Sequence, residues 1–276
     1  MKKLICKVML TAMIFSTFTI FTACNGNSPS SDNAGKTKAK LVCGVTDFEP
    51  MNYKDDNGNW TGFDTDFAKL VGAKLNMDVE FQEIEWDQRY NELNSGNIDC
   101  IWNGFTANST DDGRKRSDFV DFSYGYMLNQ QCVVIKKENA DKFKRIEDLK
   151  GKTAAAEKGS AGEDTAKKAI GKDENIITCE AQIDAFMEVK TGAVDCAVVD
   201  ILLAQRIAGA GDYSDLAIAN ISLNSEIYAI GFKKGSPLTA KVNSAMKELF
   251  ADGKMEALAK KYNLENSLKL DTATKY

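Results

Sequence analysis

The chain has 276 residues, with 35 Lys and Arg against 40 Asp and Glu, a net charge of −5 and no histidine. An acidic balance of this kind argues against a nucleic-acid partner. The missing histidine removes the commonest general base and metal ligand, so neither a cofactor nor a metal is expected.

In chain order, the first element is a leader. "MKKLICKVMLTAMIFSTFTIFTAC" sets Lys2, Lys3 and Lys7 before an apolar run too short to span a bilayer, which reads as a secretory signal over residues 1–23. "FTAC" resembles a bacterial lipobox, and the resemblance implies that Cys24 is lipidated and anchors the mature chain to a membrane on its outer or periplasmic side. Ordinary signal cleavage is the alternative. Residues 24–39 are poor in apolar side chains and read as a flexible tether. The folded part is expected from Lys40, and without residues 1–23 the net charge is −8.

Strand-like and helical runs then alternate. "LVCGVT" precedes "GFDTDFAKLVGAKLN", in which Phe63, Phe67, Leu70, Val71 and Leu75 share a helical face. "DVEFQEI" leads to "DQRYNELNSG", with Gly96 as its C-terminal stop, and "NIDCIWNGF" completes a βαβαβ series that predicts a parallel sheet. A second series runs from "QCVVIKK" through "KTAAAEKG", "SAGEDTAKKAIG", "NIITCE", "AQIDAFMEVKTG" and "VDCAVVD" to "ILLAQRIAGAG". "EIYAIGFKKGSPL" adds a strand, and two helices finish the chain; Ser236 and Pro237 start the first of these. The predicted fold is α/β with two lobes: lobe 1 over 40–130 and 229–276, and lobe 2 over 131–228. Extended runs at Gln131 to Ile135 and Glu226 to Phe232 are expected to cross between the lobes and form a hinge. Cys43, Cys100, Cys132, Cys179 and Cys196 lie inside apolar runs without zinc-ligand spacing and read as buried free thiols, with one disulfide between adjacent strands as the alternative.

The fragments "FEPMNY", "GNWTGFDTDFAKLVGAKLN", "NIDCIWNGFT", "VDFSYGY", "GAVDCAVVD" and "VNSAMKELFADGKMEALAKKYNL" together resemble the family 3 extracellular solute-binding proteins of amino-acid ABC importers, which have the type 2 periplasmic binding fold. The resemblance implies a monomer that captures a free, polar L-amino acid between its lobes, hands it to a membrane permease and catalyses nothing. It assigns the ligand's carboxylate to an arginine shortly before "VDFS". Counting back from that motif selects Arg116; counting forward from Gly104 fails, because "ANSTDDG" is long, and leaves Arg114 open. The planar fork of arginine suits a carboxylate, which lysine cannot grip in the same way.

By the same resemblance Thr106 adds a hydroxyl, the Gly104 carbonyl meets the ligand's ammonium, and Asp200 binds that ammonium from the other lobe. The rival reading of Asp200 is an N-cap for the helix that begins at Ile201. Ser160, Ala161 and Glu163 form a helix start whose N–H groups suit an anion. Phe48 and Trp86 would flank the ligand's side chain, with Asp47, Glu49 and Tyr124 as further contributors to selectivity. Asp195 is expected to be structural. Two other functions remain: a dehydratase acting on cyclic amino-acid precursors, with Glu49 or Glu163 as its acid or base, or a ligand-sensing domain.

Overall fold

The computed structural model describes residues 38–273 and Tyr276. The expected signal, Cys24 and most of the tether lie outside these residues. Strand β1 (Ala39–Val45) leads through hairpin β2 (Tyr53–Lys54) and β3 (Trp60–Thr61) to α1 (Phe63–Leu75) and β4 (Met77–Glu83). Next come α2 (Arg89–Ser95), β5 (Cys100–Ile101), hairpin β6 (Thr110–Asp111) and β7 (Arg114–Lys115), β8 (Asp121–Phe122) and the long β9 (Gly125–Lys136). β10 (Ala154–Glu157), α3 (Ala161–Ile170), β11 (Ile176–Cys179), α4 (Gln182–Thr191), β12 (Cys196–Asp200), α5 (Ile201–Ile207) and β13 (Leu216–Ile218) follow. β14 (Ser225–Tyr228), β15 (Gly231–Phe232), α6 (Pro237–Ala251), α7 (Lys254–Tyr262) and β16 (Leu268–Asp271) end the fold.

Apart from the two hairpins, these elements build two large sheets, one per lobe. The first has the order β4-β1-β5-β15-β8 and the second β11-β10-β12-β9-β13, with β14 and β16 also paired to β9. β1 is parallel to β4 and β5, and β10 is parallel to β11 and β12, as the βα alternation predicts. The face of α1 that carries Phe63, Phe67 and Val71 is fully buried. Leu70 and Leu75 lie at its margin, half-buried. Ser236 and Pro237 open α6 as expected, the Ser236 hydroxyl accepting from Leu238 N–H at 3.3 Å.

Two features differ from the sequence reading. Gln131 to Val134 pair with β12, inside the second sheet, so the strands that link the lobes pair instead at Met127–Gln130 and Ser225–Tyr228. The chain also continues past its last helix into β16, which pairs with β9. The five cysteines among the described residues are free; Cys43 and Cys100 face each other in register, their sulfurs 3.7 Å apart.

Candidate functional site

The C-terminal ends of β10 and β12 point at the first lobe, and a small cavity of about 20 Å³ lies between the lobes, lined by Thr46, Phe48, Trp86, Asn103, Gly104, Thr106, Arg116, Glu157, Ser160, Ala161, Gln182 and Asp200. That space holds about one water molecule, so any larger guest requires the lobes to part. Three contacts hold the mouth shut: Lys158 pairs with Asp87 at 2.7 Å, Thr110 Oγ1 donates to Asp164 at 3.1 Å, and Arg116 Nη2 donates to Gly159 O at 3.2 Å.

The cationic run "GRKR" divides as its local geometry dictates. Asp112 and Gly113 take φ of 49° and 75°, the left-handed pair that a tight hairpin needs, so the extra residues after Gly104 fold back as β6 and β7. Arg114 and Lys115 end up exposed on that hairpin, the Arg114 guanidinium 4.3 Å from the centre of the Phe119 ring. Arg116 begins the next turn and is only 1% exposed. Its Nε donates to Asp111 Oδ1 at 3.0 Å, Nη1 to Thr106 O at 3.2 Å, and Nη2 to Gly159 O. Five N–H bonds are available on a guanidinium. These contacts occupy three, leaving one on each Nη.

Asp111 is the centre of a group that the sequence reading missed. Arg89 Nη2 and Tyr90 Oη both reach its Oδ2 at 2.5 Å, while Arg116 takes Oδ1. Burial pushes this carboxyl up, but the two guanidiniums outweigh it and hold Asp111 below the usual carboxylate range. Arg89 in turn lies over Trp86 at 4.8 Å and donates to the Trp86 carbonyl at 2.7 Å, which fixes the indole at the cavity wall. Phe48 stands edge-on to Tyr228, 6.5 Å between ring centres.

Gly104 has φ of 55°, and a Cβ there would lie 2.5 Å from Phe48 Cε1, so only glycine fits. Its N–H is held by Asp64 Oδ2 at 2.7 Å, a carboxylate that also takes the Tyr126 hydroxyl at 2.8 Å. Burial pushes the Asp64 carboxyl up to about 7, partly offset by those two donors. Asn103 and Thr46 satisfy each other, Thr46 Oγ1 donating at 2.6 Å. The Thr106 hydroxyl donates to Glu226 Oε2 at 3.1 Å, so its proton is not free for a carboxylate, a correction to its expected part.

From the second lobe, Ser160 caps α3 by accepting from Glu163 N–H at 3.0 Å. Glu163 departs from the usual capping box: its carboxylate takes Gly159 N–H at 2.6 Å and Lys167 at 2.7 Å. The N–H groups of Ala161 and Gly162 lie in the first turn, where the helix supplies no acceptor. α3 comes this close to β12 because residue 162 is glycine, whose added Cβ would lie 2.4 Å from Val198 O.

Asp200 occupies the N-cap position of α5, yet its side chain makes no capping bond. It turns into the cavity, where Gln182 Nε2 donates at 2.6 Å, Tyr228 Oη at 2.7 Å and Gln131 Nε2 at 3.0 Å, together with Asn129 Nδ2. All four donors are neutral. Burial raises its pKa and the donors only partly reverse this, so Asp200 is a carboxyl solvated by neutral protein groups, with no cation paired to it among the described residues. Asn129 and Gln131 also donate to Glu226 Oε2, at 2.7 and 3.1 Å; burial and then Asp200 push Glu226 up to about 7.

Four expected contributors do not line the cavity. Arg114 is on the hairpin surface, Asp47 is exposed, and Glu49 sits half-buried outside the lining. Tyr124 faces α6, its N–H bonded to Asn243 at 2.8 Å and its ring under Lys247. Asp195 holds Thr153 N–H at 2.9 Å, tying β10 to the start of β12 away from the cavity. Among the described residues no group of metal-ligating side chains comes together, and no helix is long and apolar enough to cross a membrane.

The model of the bacterial extracellular solute-binding proteins, family 3, matches residues 41–265. The chain belongs to that family. This solute-binding protein is 30% identical to the arginine-binding extracellular protein ArtP of Bacillus subtilis, over 95% of this chain and 98% of the relative. It is also 30% identical to the L-cystine-binding protein TcyA of the same organism, over 93% and 97%. Among solved structures, it is similar to an ancestral amino acid-binding protein described as a precursor of cyclohexadienyl dehydratase, with 34% identity, a TM-score of 0.73, and coverage of 81% of this chain and 95% of that one. The fold of the solute-binding protein is thus the type 2 periplasmic one.

Proposed function

We propose that the protein is the substrate-binding component of an amino-acid ABC importer, and that its lobes close over one free L-amino acid. The reading is carried by Arg116 and Asp200: a guanidinium with two spare N–H bonds on one lobe faces a buried carboxyl that lacks a cation on the other. A zwitterion supplies what each needs, its carboxylate to Arg116 and the N–H groups at Ala161 and Gly162, its ammonium to Asp200 and the Gly104 carbonyl. Phe48 and Trp86 then flank the side chain. Because the contacts come from both lobes, they are complete only in the closed form, and ligand shifts the population towards it. The finer readings, a lipid anchor at Cys24, a permease partner and a monomeric state, are part of the same proposal.

A thermal-shift screen of the common L-amino acids tests it. A ligand at 100 times its dissociation constant stabilises by about 2.7 kcal/mol, and the absence of a shift across the panel would refute the proposal. We read the protein as non-catalytic. Of the two carboxyls considered as acid or base, Glu49 lies outside the cavity lining and Glu163 is tied to Gly159 and Lys167. Turnover of a cyclohexadienyl substrate by the purified protein would overturn that reading.

A further inference from the structure

Glu157, the last residue of β10, is 5% exposed and lines the cavity beside Asp200, Trp86 and Gln182. It differs from every other carboxyl around the site. Asp200 has four donors, Glu226 receives Thr106, Asn129 and Gln131, and Asp111 receives Arg89, Tyr90 and Arg116. Among the described residues the Glu157 carboxyl forms neither a hydrogen bond nor an ion pair. Arg89 and Arg116, both paired with Asp111, draw it down through space but neither donates a hydrogen bond to it. A buried carboxyl without a partner is costly. Burial, and then Asp200, push it up to about 8.

From this cluster we infer that the ligand carries a second positive charge, on its side chain, and that Glu157 selects for it: the substrate class is the cationic L-amino acids, with a guanidinium or a side-chain ammonium. The inference rests on the amino-acid reading above. Once Arg116 and Asp200 have taken the zwitterionic head, a neutral side chain leaves Glu157 as it stands in the unliganded cavity, protonated or unpaired. A cationic one gives it the missing partner, with the indole of Trp86 alongside to face the cation.

Isothermal titration of the purified protein with L-arginine, L-lysine, L-glutamine and L-cystine, in the wild type and in Glu157→Gln, decides the matter. The expected result is that L-arginine or L-lysine binds tightest and loses about 30-fold or more in Glu157→Gln, the effect of removing one member of a buried charge pair, while L-glutamine changes by less than about threefold. Near pH 7 the cationic ligand should also release more protons in the wild type than in the variant, seen as a steeper dependence of the binding heat on the buffer's ionisation enthalpy; the release shared by both comes from Asp200 and Glu226, which are raised as well. Glu157→Gln keeps the shape of the side chain, and its unliganded melting temperature checks its folding. The inference is overturned if a neutral amino acid binds tightest or if Glu157→Gln keeps its L-arginine affinity. Those results leave the amino-acid reading intact. If no amino acid binds the wild type, both readings fall.

Discussion

Replacing Arg116 by alanine should abolish binding without unfolding the protein. The guanidinium has one free N–H on each Nη after its bonds to Asp111, Thr106 O and Gly159 O. Two charge-assisted bonds to a carboxylate contribute about 1.5–3 kcal/mol each, so the loss is about 3–6 kcal/mol, roughly 10²- to 10⁴-fold in the dissociation constant. The fold survives because Asp111 keeps Arg89 and Tyr90, both at 2.5 Å. The variant should therefore melt cooperatively, with about 1–3 kcal/mol less stability. Arg116→Lys keeps the charge and loses the fork, and should recover little of the affinity. Arg114→Ala is the matched control: exposed and stacked only on Phe119, it should change stability and affinity by less than about 0.5 kcal/mol. Calorimetric titration of the three variants, with thermal melts alongside, reads all of this. Retained affinity in Arg116→Ala, or loss of affinity in Arg114→Ala, would refute the reasoning.

Stability of the unliganded protein should fall as pH rises from about 5 to about 9. Asp64 and Glu226 are raised to about 7 and Glu157 to about 8, so the folded protein binds more protons than the unfolded chain in this range. Their contribution is complete below the unfolded value and is lost as pH passes through those folded values; for Asp64 alone it amounts to at most about 4 kcal/mol at about 1.4 kcal/mol per pH unit. A flat or rising melting temperature over that range would contradict these assignments. Gly104→Ala should cost about 1–3 kcal/mol and weaken binding, because the added methyl combines a strained φ of 55° with a 2.5 Å approach to Phe48. Unchanged melting and titration curves would show that the backbone at Gly104 is not held as described.

Much of the architecture was legible because it is written locally. The alternation of apolar strands with helical periods, Gly96 at φ of 81° and the Ser236-Pro237 start each act within a few residues. Arg116 is reachable by counting back from "VDFS", while the count forward from Gly104 fails and leaves Arg114 open. What separates it from Arg114 is the Asp-Gly turn at residues 112 and 113, a hairpin signal already present in the sequence. The Arg89–Asp111–Arg116 group was not legible, since Asp111 meets Arg89 only after the chain has folded back across 22 residues. Two further signals were available. Asn129 and Gln131 alternate along one face of an otherwise buried strand, and Glu157 ends the apolar run "TAAAE" much as Asp200 ends "VDCAVVD". A charge that closes a buried strand must have a partner, and this holds for Glu157 as it does for Asp200.

The most direct measurement is a crystal structure of the protein grown with the amino acid that stabilises it most. The account predicts the ligand's carboxylate on the two unoccupied N–H bonds of Arg116, its ammonium within hydrogen-bond distance of Asp200, and both lobes in contact with it. A ligand held by one lobe alone, or one whose head group lies away from Arg116 and Asp200, would contradict it.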